Sequence, residues 1–307
     1  MDEWLSDRDF LSGGERKVKK TTLILGCGDI GQALGRELID AGHRVIGARR
    51  HAAALEGSGI EPLALDLGDP AALDALPQAD YVVYVLSADR FEEAAYRAAY
   101  PDGLKAVLRT YERHERPPQR LLFVSSTSVY GQKEGERVDE ESPAESAGFS
   151  GVLMREAEQA LHDSPLPGTV VRFSGIYGPG RDRLIHQVLE GRIAPTAPPM
   201  YSNRIHRDDC AGVLAHLIGL SEAGQPVEPL YLASDCEPAP LYEVMRWMAT
   251  QLKVEPTEVI QAPLRKRASK RCDNARLRES GYEFRYPDYR AGYTQVMRTG
   301  GFLTQPV

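Results

Sequence analysis

Residues 26–31 read Gly26-Cys27-Gly28-Asp29-Ile30-Gly31, three glycines at the spacing GxGxxG. That spacing carries weight only between a strand and a helix. Both are expected, because the apolar run 21–25 (TTLIL) precedes it and a helical stretch over 30–41 follows it. Each glycine then has a separate task. Gly26 turns the chain out of the strand, Gly28 lets backbone approach a pyrophosphate, and Gly31 lets the helix pack closely on the sheet. Asp29 and Ile30 complete the loop, where the helix offers free N–H groups and a positive dipole end to phosphates. The chemistry implied is dinucleotide binding.

The end of the second strand selects the dinucleotide. A carboxylate there holds a ribose 2′-hydroxyl and repels a 2′-phosphate, whereas arginine pairs with the phosphate. This chain has Ala48, Arg49 and Arg50, with no acid until Glu56. NADP(H) is favoured over NAD(H). The plainer alternative is that Arg49 and Arg50 open the next helix in solvent.

These residues need a scaffold, and the hydrophobic pattern supplies one. Strands are expected at 21–25, 44–48, 62–65, 80–86, 120–125 and 169–173, with helices at 30–41, 91–114 and 152–162 between them. Alternating strands and helices predict an α/β Rossmann fold with a doubly wound parallel sheet. The pattern divides the chain into a polar leader (1–20), a dinucleotide-binding domain (21–181) and a mainly substrate-binding lobe (182–307). Helix 207–220 and strand 229–233, within the segment 203–235, return to the main sheet. Residues 131–147 read as a polar, acidic loop.

Composition bounds the class. The 307 residues are 42% hydrophobic and 26% charged, with a net charge of −7. That balance suits a folded enzyme-sized core and argues against a nucleic-acid partner. No apolar run reaches bilayer length, and the N-terminus lacks a signal peptide's apolar stretch, so no membrane partner and a cytoplasmic location are expected. The four cysteines, Cys27, Cys210, Cys236 and Cys272, are scattered without metal-ligand spacing, so no metal is expected.

Further along, Leu65-Asp66-Leu67, Val124-Ser125-Ser126-Thr127-Ser128-Val129-Tyr130-Gly131, Arg172-Phe173-Ser174-Gly175-Ile176-Tyr177-Gly178-Pro179-Gly180 and Arg204-Ile205-His206-Arg207-Asp208-Asp209 follow in order. In order and spacing they resemble the extended short-chain dehydrogenase/reductase superfamily, in particular the NAD-dependent epimerase/dehydratase family. The resemblance covers about 21–235, and more faintly the rest. It implies that Asp66 and Leu67 lie beside the adenine, and that Leu86, Ser87 and Ala88 line the ribose and phosphate channel. Ser126 matches the catalytic serine or threonine, with Ser125 beside it among the cofactor contacts. Ser174 to Tyr177 fall near the nicotinamide, and His206 and Asp208 match structural residues.

One departure matters. The family's chemistry uses a tyrosine and, four residues later, a lysine that lowers the phenol's pKa. The resemblance aligns Ser150 and Met154 with that pair, and no tyrosine or lysine occurs between Lys133 and Leu161. The family's asparagine on the long helix, three residues before a glycine, is here Tyr100, ahead of Gly103. The chain resembles an atypical member. Candidate catalytic residues are therefore Ser126, Ser150 and Tyr177, with Tyr177 the substitute phenol and Tyr130 read as structural. Arg155 is expected to point away from Met154.

The basic run Arg265 to Arg271 has two readings, a diphosphate contact for a nucleotide-linked substrate or an exposed charged loop. The small and apolar stripe on helix 91–114 fits a homodimer interface or packing on the chain's own sheet. Two function classes remain. One is an NADP(H)-dependent oxidoreductase or epimerase/dehydratase-like enzyme acting on a carbonyl or sugar-type small molecule with altered acid–base residues. The other is a non-catalytic NADP(H)-binding sensor.

Overall fold

Thr21–Leu25 forms the first strand, β1, a β-rich run that is apolar on both faces and so suited to the middle of a sheet. Leu23, Ile24 and Leu25 are fully buried. The computed structural model describes residues 19–260 and 269–303. The expected leader, apart from its last two residues, and residues 265–268 of the basic run lie outside them. The other strands of the main sheet are β2 (Arg44–Arg49), β3 (Glu61–Ala64), β4 (Tyr81–Tyr84), β5 (Arg120–Ser126), β6 (Gly168–Phe173) and β7 (Leu230–Ala233). All pair in parallel in the order β7-β6-β5-β4-β1-β2-β3. This is the doubly wound Rossmann-like sheet the alternation predicts.

Parallel pairing requires crossovers, and helices on both faces supply them. Side chains alternate across each strand, so Ile24 packs with one face and Leu23 and Leu25 with the other. On the first face lie α1 (Asp29–Asp40) and the later helix Arg207–Glu222. On the second lie α2 (Gly103–Glu112) and α3 (Phe149–Asp163). A third buried cluster, including Ile185, Val188, Met245, Met248, Tyr293 and Val296, joins the helices Arg183–Leu189, Leu241–Leu252 and Tyr289–Thr299.

The helical run over 91–114 is interrupted. A helix Glu93–Arg97 passes through a π-turn, Ala98–Asp102, into α2. Pro101 sits in that turn and has no N–H to continue the regular ladder. Leu104, Val107 and Leu108 of the small and apolar stripe are buried in the chain's own core. The loop over 131–147 also holds a strand, Glu136–Val138, paired in parallel with Lys270–Cys272. Only Val138 of that strand is buried, so a local apolar pattern is missing and the pairing comes from distant chain. Among the described residues, no helix is long and apolar enough to cross a membrane. Nor is there a His, Cys, Asp or Glu cluster among them able to hold a metal ion.

Candidate functional site

In a doubly wound sheet the ligand crevice opens at the strands' carboxyl ends, where the strand order reverses. Here that point lies between β1 and β4. A cleft of about 1010 Å³ occupies it. Gly26, Gly28, Asp29 and Ile30 line it from the loop after β1, and Arg49 and Arg50 from the end of β2. Asp66 and Leu67 follow β3 along its wall, and Leu86, Ser87 and Ala88 follow β4. Ser125 and Ser126 close the row at the end of β5. The sequence-predicted cofactor residues thus share one cleft, apart from Gly31.

The glycines have distinguishable physical roles. Gly26 has φ +86°, and a Cβ there would stand 2.8–2.9 Å from the Leu86 and Val85 backbone. Gly28 meets nothing closer than 3.8 Å, so its missing side chain leaves room on the cleft side. A Cβ on Gly31 would meet the Ile24 side chain at 3.0 Å, which sets how near α1 lies to the sheet. Gly28 caps α1 without a side-chain hydrogen bond, so the first N–H groups are not taken by a capping side chain.

Two arginines on the cleft wall are held by carboxylates. Arg50 donates to both oxygens of Asp89 at 2.6 and 2.8 Å, joining the residue after β2 to the segment that follows β4. That pair holds the Asp89 carboxyl below the usual carboxylate range. Arg181, from the loop after Gly180, donates to Asp29 at 3.2 and 3.3 Å. Arg181, His51 and Tyr96 line the cleft and were missed from sequence. Tyr96 and Tyr100 carried a signal, since a four-residue spacing puts both on one helix face. Arg181 directly follows the Gly178-Pro179-Gly180 turn but matches no motif.

The reacting end is built from β5, β6, the π-turn and α3. Ser126 lines the cleft, and its Oγ accepts from the Ser128 amide at 3.1 Å. Ser174 also lines it, 5% exposed, with no partner for its Oγ among the described residues. Met154 and Tyr100 form an adjoining wall. The Tyr100 oxygen accepts from the Ala88 amide at 3.4 Å, and burial pushes the phenol's pKa up, so it stays protonated at neutral pH. Behind Ser125 lies a buried network. Ser125 donates to Glu158 at 2.5 Å, Arg172 donates to both Glu158 oxygens at 3.0 and 2.6 Å, and Arg172 also donates to Tyr130 at 3.0 Å.

Two catalytic expectations change. Tyr177 faces the third core cluster, 4% exposed, its ring 4.4 Å from that of Tyr293 and edge-on to His206. Gly292 packs so closely on its hydroxyl that a Cβ there would overlap it. It does not line the cleft because the short strand Gly175–Tyr177 pairs with Arg204–His206 and turns the ring inward. Ser150, in the first turn of α3, also lies off the cleft wall, one turn before Met154. Arg155 donates to the Ser146 carbonyl at 2.8 Å, away from Met154. His206 is fully buried. Its Nδ1 accepts from the Asp208 amide at 3.1 Å, so Nε2 carries the proton and donates to Gln295 at 3.2 Å. Burial lowers its pKa and keeps it neutral.

Beside Tyr177 lies a buried acid, Asp235, 3.9 Å from Arg204. Burial outweighs the arginine and pushes this carboxyl from 3.8 up to about 7. A raised folded-state pKa contributes stability below the unfolded value, and that stability is lost as pH rises through about 7. Denaturant unfolding from pH 4 to 8 should therefore show the wild type losing stability relative to Asp235→Asn. Parallel curves for the two proteins would rule the assignment out.

The profile of the NAD dependent epimerase/dehydratase family matches residues 22–203, more than half of the chain. The chain belongs to the NAD-dependent epimerase/dehydratase family. Protein YeeZ of Escherichia coli K12 is 31% identical over 283 residues, covering 88% of this chain and 97% of YeeZ. A solved structure from Methylobacillus flagellatus, classed with the same epimerases/dehydratases, is 35% identical. Its TM-score is 0.75, and the match covers 92% of this chain and 99% of that one. The human epimerase family protein SDR39U1, solved with NADPH, shares the fold at TM-score 0.73 and 19% identity, covering 91% and 99%. In this family member the glycine loop after β1 and Ser126 after β5 line the same cleft.

Proposed function

We propose that this protein is an NADP(H)-dependent oxidoreductase or epimerase/dehydratase-like enzyme of the family, acting on a carbonyl or sugar-type small molecule. The observation that carries the reading is the cleft at the strand switch point, with Arg49 and Arg50 where β2 ends. The residues fit the cofactor. An uncapped helix start and Gly28 suit the pyrophosphate, and Arg50 with Arg49 suits the 2′-phosphate. Proteins of the same fold have been solved with either cofactor, NADPH in SDR39U1 and NAD in WbmG of Bordetella bronchiseptica, so the choice rests on Arg49 and Arg50.

The bound cofactor supplies the hydride acceptor or donor. Ser126 holds the substrate oxygen by hydrogen bonding. Met154 cannot supply the lysine's charge, so no neighbouring ammonium is available there to lower a phenol's pKa. Tyr100 takes the role of neutral phenol on the wall and donates a proton in the reducing direction, in place of Tyr177. The Ala88 N–H, which donates to its oxygen, stabilises the phenolate left behind. Met154 on that wall also supports a second reading, a binding protein that senses NADP(H) without turnover.

Arg50→Ala should weaken NADPH binding by at least ~10-fold and leave NADH binding unchanged, since a charge-assisted hydrogen bond is worth about 1.5–3 kcal/mol. Fluorescence titration with both cofactors measures this. Equal losses for the two would overturn the NADP(H) preference. Following NADPH absorbance against a carbonyl and nucleotide-sugar panel separates the two readings, because substrate-dependent oxidation excludes the sensor.

A further inference from the structure

Two cations converge on Asp29, and they are not equivalent. Arg207 uses all three of its guanidinium nitrogens. Nη1 donates to Asp29 Oδ1 at 2.9 Å, while Nε and Nη2 donate to Asp208 at 2.9 and 2.8 Å. Arg181 reaches Asp29 only through Nε and Nη2, both on Oδ2, at 3.3 and 3.2 Å. Those bonds are longer than the about 2.7–2.9 Å of a well-made charge-assisted bond. Arg181 lines the cleft, and Arg207 does not. The Arg181 side chain is 40% exposed, against 19% for Arg207. Asp29 therefore keeps a full partner if Arg181 leaves.

We propose that Arg181 is a phosphate ligand of the dinucleotide, held on Asp29 until a pyrophosphate takes its fork. This rests on the dinucleotide reading of the cleft. A pyrophosphate at the start of α1 sets its negative charge against the Asp29 carboxylate, which lines the same wall. Backbone N–H groups bind the phosphates but carry no full charge to offset that repulsion. A guanidinium does, and its planar fork matches two phosphate oxygens. Arg181 exchanges one oxygen of a carboxylate for two of a phosphate without unpairing Asp29. It is a binding residue that the family's motifs do not mark.

Arg181 closes the turn at Gly178-Pro179-Gly180 through its amide, which donates to the Gly178 carbonyl at 3.0 Å. Gly180 has φ +77°, a conformation that favours glycine. Two residues after Arg181 begins the helix Arg183–Leu189 of the third core cluster.

Isothermal titration of the full chain with two probes tests the proposal. ADP-ribose carries the pyrophosphate but no 2′-phosphate, and 2′-AMP carries the 2′-phosphate but no pyrophosphate. Arg181→Ala should weaken ADP-ribose ~10-fold to ~100-fold and leave 2′-AMP unchanged. Arg181→Lys keeps the charge without the fork and should fall between wild type and Arg181→Ala. Asp29→Asn should act in the opposite direction and tighten ADP-ribose, because the competing carboxylate is gone. A purely structural ion pair moves both substitutions the same way. Unchanged ADP-ribose affinity in Arg181→Ala, or a loss in Asp29→Asn matching it, overturns the proposal. Wild-type protein that binds neither probe overturns the dinucleotide reading itself, and the proposal with it.

Discussion

Gly26→Ala is expected to lose about 2–5 kcal/mol of stability and its dinucleotide binding together. The left-handed backbone costs a side-chain-bearing residue roughly 1–2 kcal/mol. Forcing a Cβ into a filled space adds roughly 1–3 kcal/mol. At Gly26 the obstructing atoms are backbone, the Leu86 N and Cα and the Val85 carbonyl at 2.8–2.9 Å, so no side chain can rotate aside. Relief must come from moving the chain after β4, and Leu86, Ser87 and Ala88 of that chain form the cleft wall. Gly42→Ala isolates the backbone term. Gly42 also has positive φ, +94°, but a Cβ there would meet nothing within 4 Å. It should cost about 1–2 kcal/mol and leave binding intact. Denaturant unfolding and an NADPH titration on both variants check the pair. Equal effects at the two positions contradict the steric account.

Glu158→Ala is expected to cost about 3–5 kcal/mol, because it leaves the Arg172 guanidinium buried without its carboxylate. Arg172 is 6% exposed and Glu158 9%. Replacing both, as in Glu158→Leu with Arg172→Met, should recover most of that loss, since a buried ion pair exchanged for packed apolar groups is often neutral. The Glu158→Ala effect extends to the site. Ser125 donates to Glu158 and lines the cleft beside Ser126, so the serine loses its acceptor. Unfolding free energies of Glu158→Leu, Arg172→Met and the double variant measure the coupling. A double variant as unstable as the sum of the singles contradicts an ion-pair origin.

The main sheet was legible because most of its strands are buried on both faces and read as short apolar runs, as Thr21–Leu25 and Gly168–Phe173 do, whereas the edge strand Glu61–Ala64 is largely exposed. The cofactor wall was legible for a related reason. The Gly26 turn and the residues ending each strand are fixed by local sequence, and the parallel sheet gathers the strand ends. What escaped was set by tertiary pairing. Glu136–Val138 is a strand only because Lys270–Cys272 runs beside it. Tyr177 follows the family's motif, yet the pairing of its strand with Arg204–His206 buries the ring against Tyr293. Tyr100 reaches the cleft from a π-turn around Pro101; its four-residue spacing from Tyr96 puts both on one helix face, but spacing alone does not show that this face meets the cleft. Arg181 is placed by a turn of glycines and proline, and its meaning lies in Asp29, far away in sequence.

The central claim is that the cleft between β1 and β4 binds a nicotinamide dinucleotide, with the 2′-phosphate preferred. Equilibrium fluorescence titration of the purified wild-type chain with NADPH, and in parallel with NADH, tests it most directly. The account predicts saturable binding of one NADPH per chain, tighter than NADH. Failure to bind either cofactor would contradict it, and the glycine loop would then be a turn without a ligand.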